Sequence, residues 1–143
     1  MLKLPHFKYH PSPLSSGSIE DSDEVCRCCG ESRGFIYTGP VYAEEELFDC
    51  LCPWCIADGS ARAKFDGAFV DEAGIGGHSG QWDEVPKEVM EEIAYRTPGF
   101  SGIQQEQWWT HCGDGAEFLR IEENEVIFRC RHCGKMGGYQ DFD

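Results

Sequence analysis

Apolar residues recur at helical spacing most clearly at Val85, Val89, Met90 and Ile93, with Pro86 at the start and Pro98-Gly99 beyond the end. That pattern predicts an amphipathic helix over 86–97 whose outer face carries Lys87, Glu88, Glu91 and Glu92. A second helix is predicted after Ser101, because Ser101 and Gln104 have capping-box spacing, "IQQEQWWTHC" follows, and Gly113 ends it. Of the adjacent Trp108 and Trp109, one is expected in the core and the other packed on the surface or exposed at a contact. Elsewhere the apolar positions are β-branched and aromatic. Phe35-Ile36-Tyr37 and Val41-Tyr42-Ala43 flank Thr38-Gly39-Pro40 and read as a hairpin, and 125–129 and 137–142 read as strands on either side of a cysteine turn. The Pro- and Ser-rich segment 1–24 is expected to run extended, held down by Phe7, Tyr9 and Leu14, with His6 and His10 as surface or packing residues. Glycines crowd 71–84, but no Lys follows them and acids flank them, so the stretch reads as a mobile loop and not a phosphate loop.

Composition narrows the class. The chain has 143 residues, 41% hydrophobic and 27% charged, which suits one soluble domain with a modest core. The expected fold is α+β, a single domain over 1–143 with an extended segment (1–24), a finger (25–70) and a helical part with a second cysteine knuckle (85–143). No run of eighteen apolar residues is present, and the first residues lack the apolar stretch of a secretion signal, so the expected location is the cytoplasm. In a reducing compartment nine cysteines point to metal and not to disulfides. The 12 Lys and Arg against 26 Asp and Glu give a net charge of −14, which repels nucleic acid and anionic lipid and attracts a basic partner.

The cysteines fall into Cys-x-x-Cys pairs at Cys26/Cys29, Cys52/Cys55 and Cys130/Cys133, leaving Cys28, Cys50 and Cys112. A Gly after the first and third pairs marks the zinc-knuckle turn, which needs a positive φ and aims backbone N–H groups at the sulfurs. The first two pairs fit one site, Cys26, Cys29, Cys52 and Cys55. Pro53 suits the first turn of a helix that "IADGSARAKF" continues, giving knuckle, hairpin, then helix, the order of a treble-clef finger. The third pair needs two more ligands, and Cys112 and His111 are the nearest, with His10, His78 and Asp114 as other candidates. Neighbouring helical side chains diverge by roughly 100°, so His111 and Cys112 share an ion only if the helix has ended there. One or two structural Zn2+ ions are therefore expected. Cys52-Pro53-Trp54-Cys55 also has the form of a redox dithiol, but the βαβ alternation of such enzymes is not visible, and no catalytic constellation is found.

Several strings resemble the CbrC family, proteins associated with colicin tolerance and carrying three Cys-x-x-Cys motifs: "FKYHPSPLSSG", "CRCCG", "YTGPVYAEEEL", "CPWCIADGSARAKFDGAFVD", "RTPGFSGIQQEQWWTHCGDGAEFL" and "FRCRHCG". The sequence departs from that pattern at Ser12, at the added Cys50 and in the short 120–129 stretch before the last knuckle. The resemblance implies protection from toxins. Combined with the charge, it leads to the expectation of a non-enzymatic immunity protein, monomeric when free, that neutralises a basic toxin domain such as a nuclease. Glu44, Glu45, Glu46, Asp83 and Glu84 would supply the charge and Tyr42, Trp82, Trp108 and Trp109 the anchors. The alternatives are a zinc-binding adaptor for another protein and a thiol oxidoreductase.

Overall fold

In the computed structural model, which describes residues 3–102 and 104–141, the elements are short and the sheets small, a mixed α/β arrangement. Ile103 and Phe142, expected in the second helix and the last strand, lie outside the described residues. Glu123 and Asn124, with φ of 49° and 67°, form a two-residue turn that folds Glu117–Glu122 (β5) onto Glu125–Arg129 (β6). Met136–Gln140 (β7) pairs with the other edge of β6 and completes a three-stranded antiparallel sheet. Alternation along β5 and β6 turns Phe118, Val126 and Phe128 inward, where they meet Trp108, Phe100 and Ile93. Phe100 stacks on Phe118 at 4.1 Å.

The amphipathic helix forms at Lys87–Arg96, with Pro86 as its N-cap residue and Ile93 and Ala94 buried. We label it α4, because three shorter helices precede it: Pro13–Ser16 (α1), Pro53–Ala57 (α2) and Ser60–Phe65 (α3). The helix expected to run on from Pro53 is broken between α2 and α3 at Gly59, whose φ of +84° no continuous helix accepts. The N-terminal segment is not uniformly extended, since it contains α1 and the strand Ile19–Asp21 (β1). Phe7 and Tyr9 are buried as expected, but Leu14 is 47% exposed.

Three local expectations yield to tertiary packing. Phe35–Tyr37 (β2) pairs with β1 and not with 41–43; Ile19 and Tyr37 face each other in register and are both buried. Tyr42 instead bridges to Ala68. The stretch after Ser101 is not helical. Trp108 exchanges backbone hydrogen bonds with Gly74 and Gly76, and Thr110–His111 (β3) and Asp114–Gly115 (β4) form a small hairpin. Both indoles are buried, Trp108 fully and Trp109 at 6% exposure, because an extended chain sends neighbouring side chains to opposite faces. The glycine stretch is packed and not free: Asp71 caps a 3-10 turn over Glu72–Gly74, and a Cβ at Gly74 would meet the Glu106 carbonyl.

Two apolar clusters result among the described residues. One joins Trp108, Phe100 and the β5–β7 sheet and includes Cys130. The other gathers Phe7, Ile19, Tyr37, Leu51, Ile56 and Phe69 around Cys26, Cys52 and Cys55. No helix among the described residues is long and apolar enough to cross a membrane.

Candidate metal centres

The first knuckle is closed by Gly30 N–H donating to the Cys26 carbonyl at 2.8 Å and Cys26 N–H donating to that of Glu31 at 2.9 Å. Gly30 takes φ +76°, the geometry for which glycine was expected. Cys52 is the N-cap residue of α2 and Pro53 opens the helix, which brings Cys55 one turn on to the same side. The Sγ atoms of Cys26 and Cys55 are 3.9 Å apart, as are those of Cys29 and Cys52, and all four lie within 4.8 Å of one another. A tetrahedron with metal–sulfur bonds of about 2.3 Å has sulfur–sulfur edges of about 3.8 Å, so the set matches one ion. Backbone N–H groups of Cys28 and Cys52 each donate to Cys26 Sγ at 3.3 Å, as metal-bound thiolates require.

Charge at this site is already organised for a cation. A hydrogen bond from the Cys52 thiol brings Cys26 down to about 4, helped by the N–H groups of Cys29, Cys52 and Cys28 against burial. Cys52, donating to Cys26, is pushed well up, and burial pushes Cys55 up as well. Metal binding at such a set displaces the thiol protons that remain. Lys64 on α3 places Nζ 3.2 Å from the carbonyls of Arg27 and Cys28, a counter-charge beside the knuckle. Burial pushes up the thiols of Cys28 and Cys50, and neither belongs to the set of four.

The second knuckle repeats the first. Cys130 N–H donates to the Lys135 carbonyl at 2.8 Å, Gly134 N–H donates to that of Cys130 at 3.2 Å, and Gly134 takes φ +78°. Opposite it, Cys112 and Gly113 both adopt left-handed conformations, φ 56° and 71°, and turn β3 into β4. This turn resolves the condition placed on His111 and Cys112: in a two-residue hairpin turn their side chains converge. Cys112 Sγ is 3.3 Å and Cys133 Sγ 3.6 Å from His111 Nδ1, and His111, Cys112, Cys130 and Cys133 offer ligand atoms within 4.8 Å. The His111 ring stacks on Trp109 with centroids 5.0 Å apart. Burial raises the Cys130 thiol, but the N–H groups of Cys133 and His132 and the His111 side bring it down to about 6. Hydrogen bonding to Cys130 pushes Cys112 up to about 11.

The other proposed ligands lie elsewhere. His10 is fully buried, its Nδ1 2.7 Å from the Pro98 carbonyl and its Nε2 2.7 Å from Ser16 Oγ. His78 is exposed beside Gln107. Asp114 is not in the ligand set but supports it, accepting from Tyr9 Oη at 2.7 Å, Gly115 N–H at 2.8 Å, Arg131 at 2.9 Å and His132 Nε2 at 2.8 Å. Burial raises its carboxyl, and these donors outweigh that and hold it below the ordinary range.

The expected contact residues divide. Glu44, Glu46 and Glu84 are exposed, and Glu45 is exposed but pairs with Arg27 at 2.7 Å. Asp83 is exposed, yet its carboxylate accepts from Gly113 N–H at 3.0 Å and its carbonyl from Thr110 Oγ1, so it holds the turn bearing Cys112. Trp108 and Trp109 are core residues and unavailable as surface anchors. Trp82 is half-buried against Tyr139, and Tyr42 stays 37% exposed while donating its hydroxyl to Glu106. The supporting roles of Asp83, Asp114 and Tyr9 carry no spacing signal in the sequence, because their partners are far along the chain.

The chain matches an uncharacterised protein family, UPF0167, over residues 4–127. It is 52% identical over 120 residues to UPF0167 proteins of Mycobacterium bovis and Mycobacterium tuberculosis, an alignment covering 82% of this chain and 60% of each relative. It is 47% identical over 140 residues to a UPF0167 protein of Pseudomonas aeruginosa, covering 97% of this chain and 75% of the relative. The chain thus spans only 60% of the length of the mycobacterial relatives. No solved structure matches. These matches correct the resemblance to the CbrC family, since the matching family model and the three relatives named above are UPF0167.

Proposed function

The chain belongs to the UPF0167 family, and from that premise we propose that it is a non-enzymatic protein held together by two structural zinc ions, presenting an acidic surface to a basic protein partner. The observation that carries this reading is the convergence of two four-residue donor sets, one of four sulfurs and one of three sulfurs and an imidazole, each within 4.8 Å. Thiolate and imidazole donors in tetrahedral sets suit zinc, and a set closed by four protein ligands leaves no open position for chemistry. The first site has the knuckle and helix of a treble-clef-like finger without its hairpin. The redox alternative is disfavoured because Cys52 and Cys55 are 1% and 3% exposed and face two further sulfurs.

The net charge of −14 supports the partner class. Neutralising a basic nuclease toxin in the cytoplasm is the particular case within that class. Elemental analysis of protein purified without added metal tests the metal reading: two zinc ions per chain and a colourless solution are expected. Iron absorption, or nine reactive thiols and no metal, would refute it. Co-expression with a basic toxin encoded beside the gene tests the narrower case, and unabated toxicity would count against it.

A further inference from the structure

The two donor sets repeat one knuckle but differ in their surroundings. Cys26, Cys52 and Cys55 are 0%, 1% and 3% exposed and lie inside an apolar cluster. Cys112 and Cys133 are both exposed, one at the tip of the β3–β4 turn and the other in the second knuckle, while Cys130 between them is 2% exposed. Both exposed sulfurs lie against the same His111 nitrogen, at 3.3 and 3.6 Å, and within 4.8 Å of each other, so that a disulfide needs only the turn to close that gap. Thiolate oxidation follows exposure and access to the oxidant.

We propose that His111, Cys112, Cys130 and Cys133 form a peroxide-reactive site, where Cys112 and Cys133 are joined as a disulfide and the metal leaves. The set Cys26, Cys29, Cys52 and Cys55 keeps its metal under the same conditions. This inference rests on the reading of both sets as zinc sites. The oxidant is hydrogen peroxide. One exposed thiolate attacks a peroxide oxygen, breaking the O–O bond and giving a sulfenic acid and hydroxide. The other thiolate attacks that sulfur, forming the S–S bond and expelling a second hydroxide. Two thiolates lose two electrons in all, peroxide takes them up, and zinc departs as Zn2+ after losing two of its four donors. His111 and Cys130 alone are too few to hold it.

The experiment treats the zinc-loaded full chain with hydrogen peroxide and follows metal release with a chromogenic chelator, then maps the oxidised peptides by mass. One zinc ion per chain is expected to leave at least about tenfold faster than the other, with Cys112 linked to Cys133 and both thiols recovered by a reductant. The double variant Cys28→Ser, Cys50→Ser, which alters only thiols outside both sets, is expected to release zinc at the same rate. The proposal is overturned if both ions leave together, if the first set empties first, or if the oxidation maps to Cys28 or Cys50. Two zinc ions that resist peroxide equally would sink this proposal and leave the zinc reading standing, whereas a chain purified without zinc would sink both.

Discussion

His10 offers a measurable test of how tightly the N-terminal segment is locked to the core. Its ring is fully buried, edge-on to Phe118 at 4.9 Å. The Pro98 carbonyl can only accept, so Nδ1 carries the proton and Nε2 accepts from the Ser16 hydroxyl. Both ring nitrogens are satisfied in the neutral form. Burial accordingly lowers the imidazole from 6.5 to about 4, the Pro98 hydrogen bond opposing it. The unfolded chain therefore takes up a proton near pH 6.5 that the folded chain refuses until about pH 4. Stability from this group is complete above pH 6.5 and falls as the pH drops, by about 1.4 kcal/mol per pH unit and about 3 kcal/mol in all, then levels below pH 4. Urea unfolding of zinc-loaded protein and of His10→Gln across pH 4–7 isolates the term, because carboxylates and thiols titrate alike in both. The variant should be less stable at pH 7 and lose stability more slowly on acidification, by about one proton's worth of slope. Parallel pH profiles would show that His10 titrates normally and that the described packing is wrong.

Further outcomes are expected from five single variants. Cys130→Ser should halve the zinc content while the Cys26 set keeps its ion, read by elemental analysis and by retained unfolding cooperativity; Cys55→Ser should leave the cluster around Ile56 and Tyr37 unable to form, read by loss of amide dispersion. Asp114→Asn should cost about 2–3 kcal/mol and Tyr9→Phe about 1–1.5 kcal/mol in urea unfolding, the partial exposure of Arg131 and His132 limiting the first figure. Strict additivity in the double variant would contradict the shared hydrogen bond. Gly74→Ala should cost at least about 2 kcal/mol, since backbone and not a flexible side chain blocks the Cβ; an unchanged midpoint would refute the close approach.

The first donor set was legible because its signal is local. Ligand spacing, the Gly after each knuckle and a Pro opening a helix are properties of a few consecutive residues, and each formed as expected at Cys26–Gly30 and Cys52–Cys55. The amphipathic stripe placed α4 to within a residue for the same reason. Errors occurred where a local pattern competed with a distant partner. Ser101 and Gln104 have capping-box spacing, but Gln104 N–H donates to Asp141, and the extended chain sends the two adjacent indoles to opposite faces, both of them buried. The Thr-Gly-Pro turn suggested a hairpin with 41–43, but burial of Tyr37 is achieved against Ile19 on β1. Cys112-Gly113 carried a readable hint, since a Gly in a two-residue connection between Thr110-His111 and Asp114-Gly115 is a hairpin signal, which the helix assignment concealed.

The division of cysteines between the two apolar clusters explains why a chain of this size would use two ions. Among the described residues, α1 to α3 run four to six residues and the sheets have two or three strands. Such elements are marginal alone, because a helix of one or two turns fixes many dihedrals for few hydrogen bonds. The first ion would join the 26–29 turn to α2 inside the cluster of Tyr37 and Ile56, and the second would join the β3–β4 turn to the β6–β7 turn at the rim of the Trp108 cluster. Each replaces a missing stretch of regular structure with a cross-link between segments far apart in sequence. Asp114 then couples the second knuckle to the N-terminal segment, accepting from both Arg131 and Tyr9. On this account the buried site sets whether the chain folds, while the exposed one sets how firmly its C-terminal sheet and N-terminal strap are held.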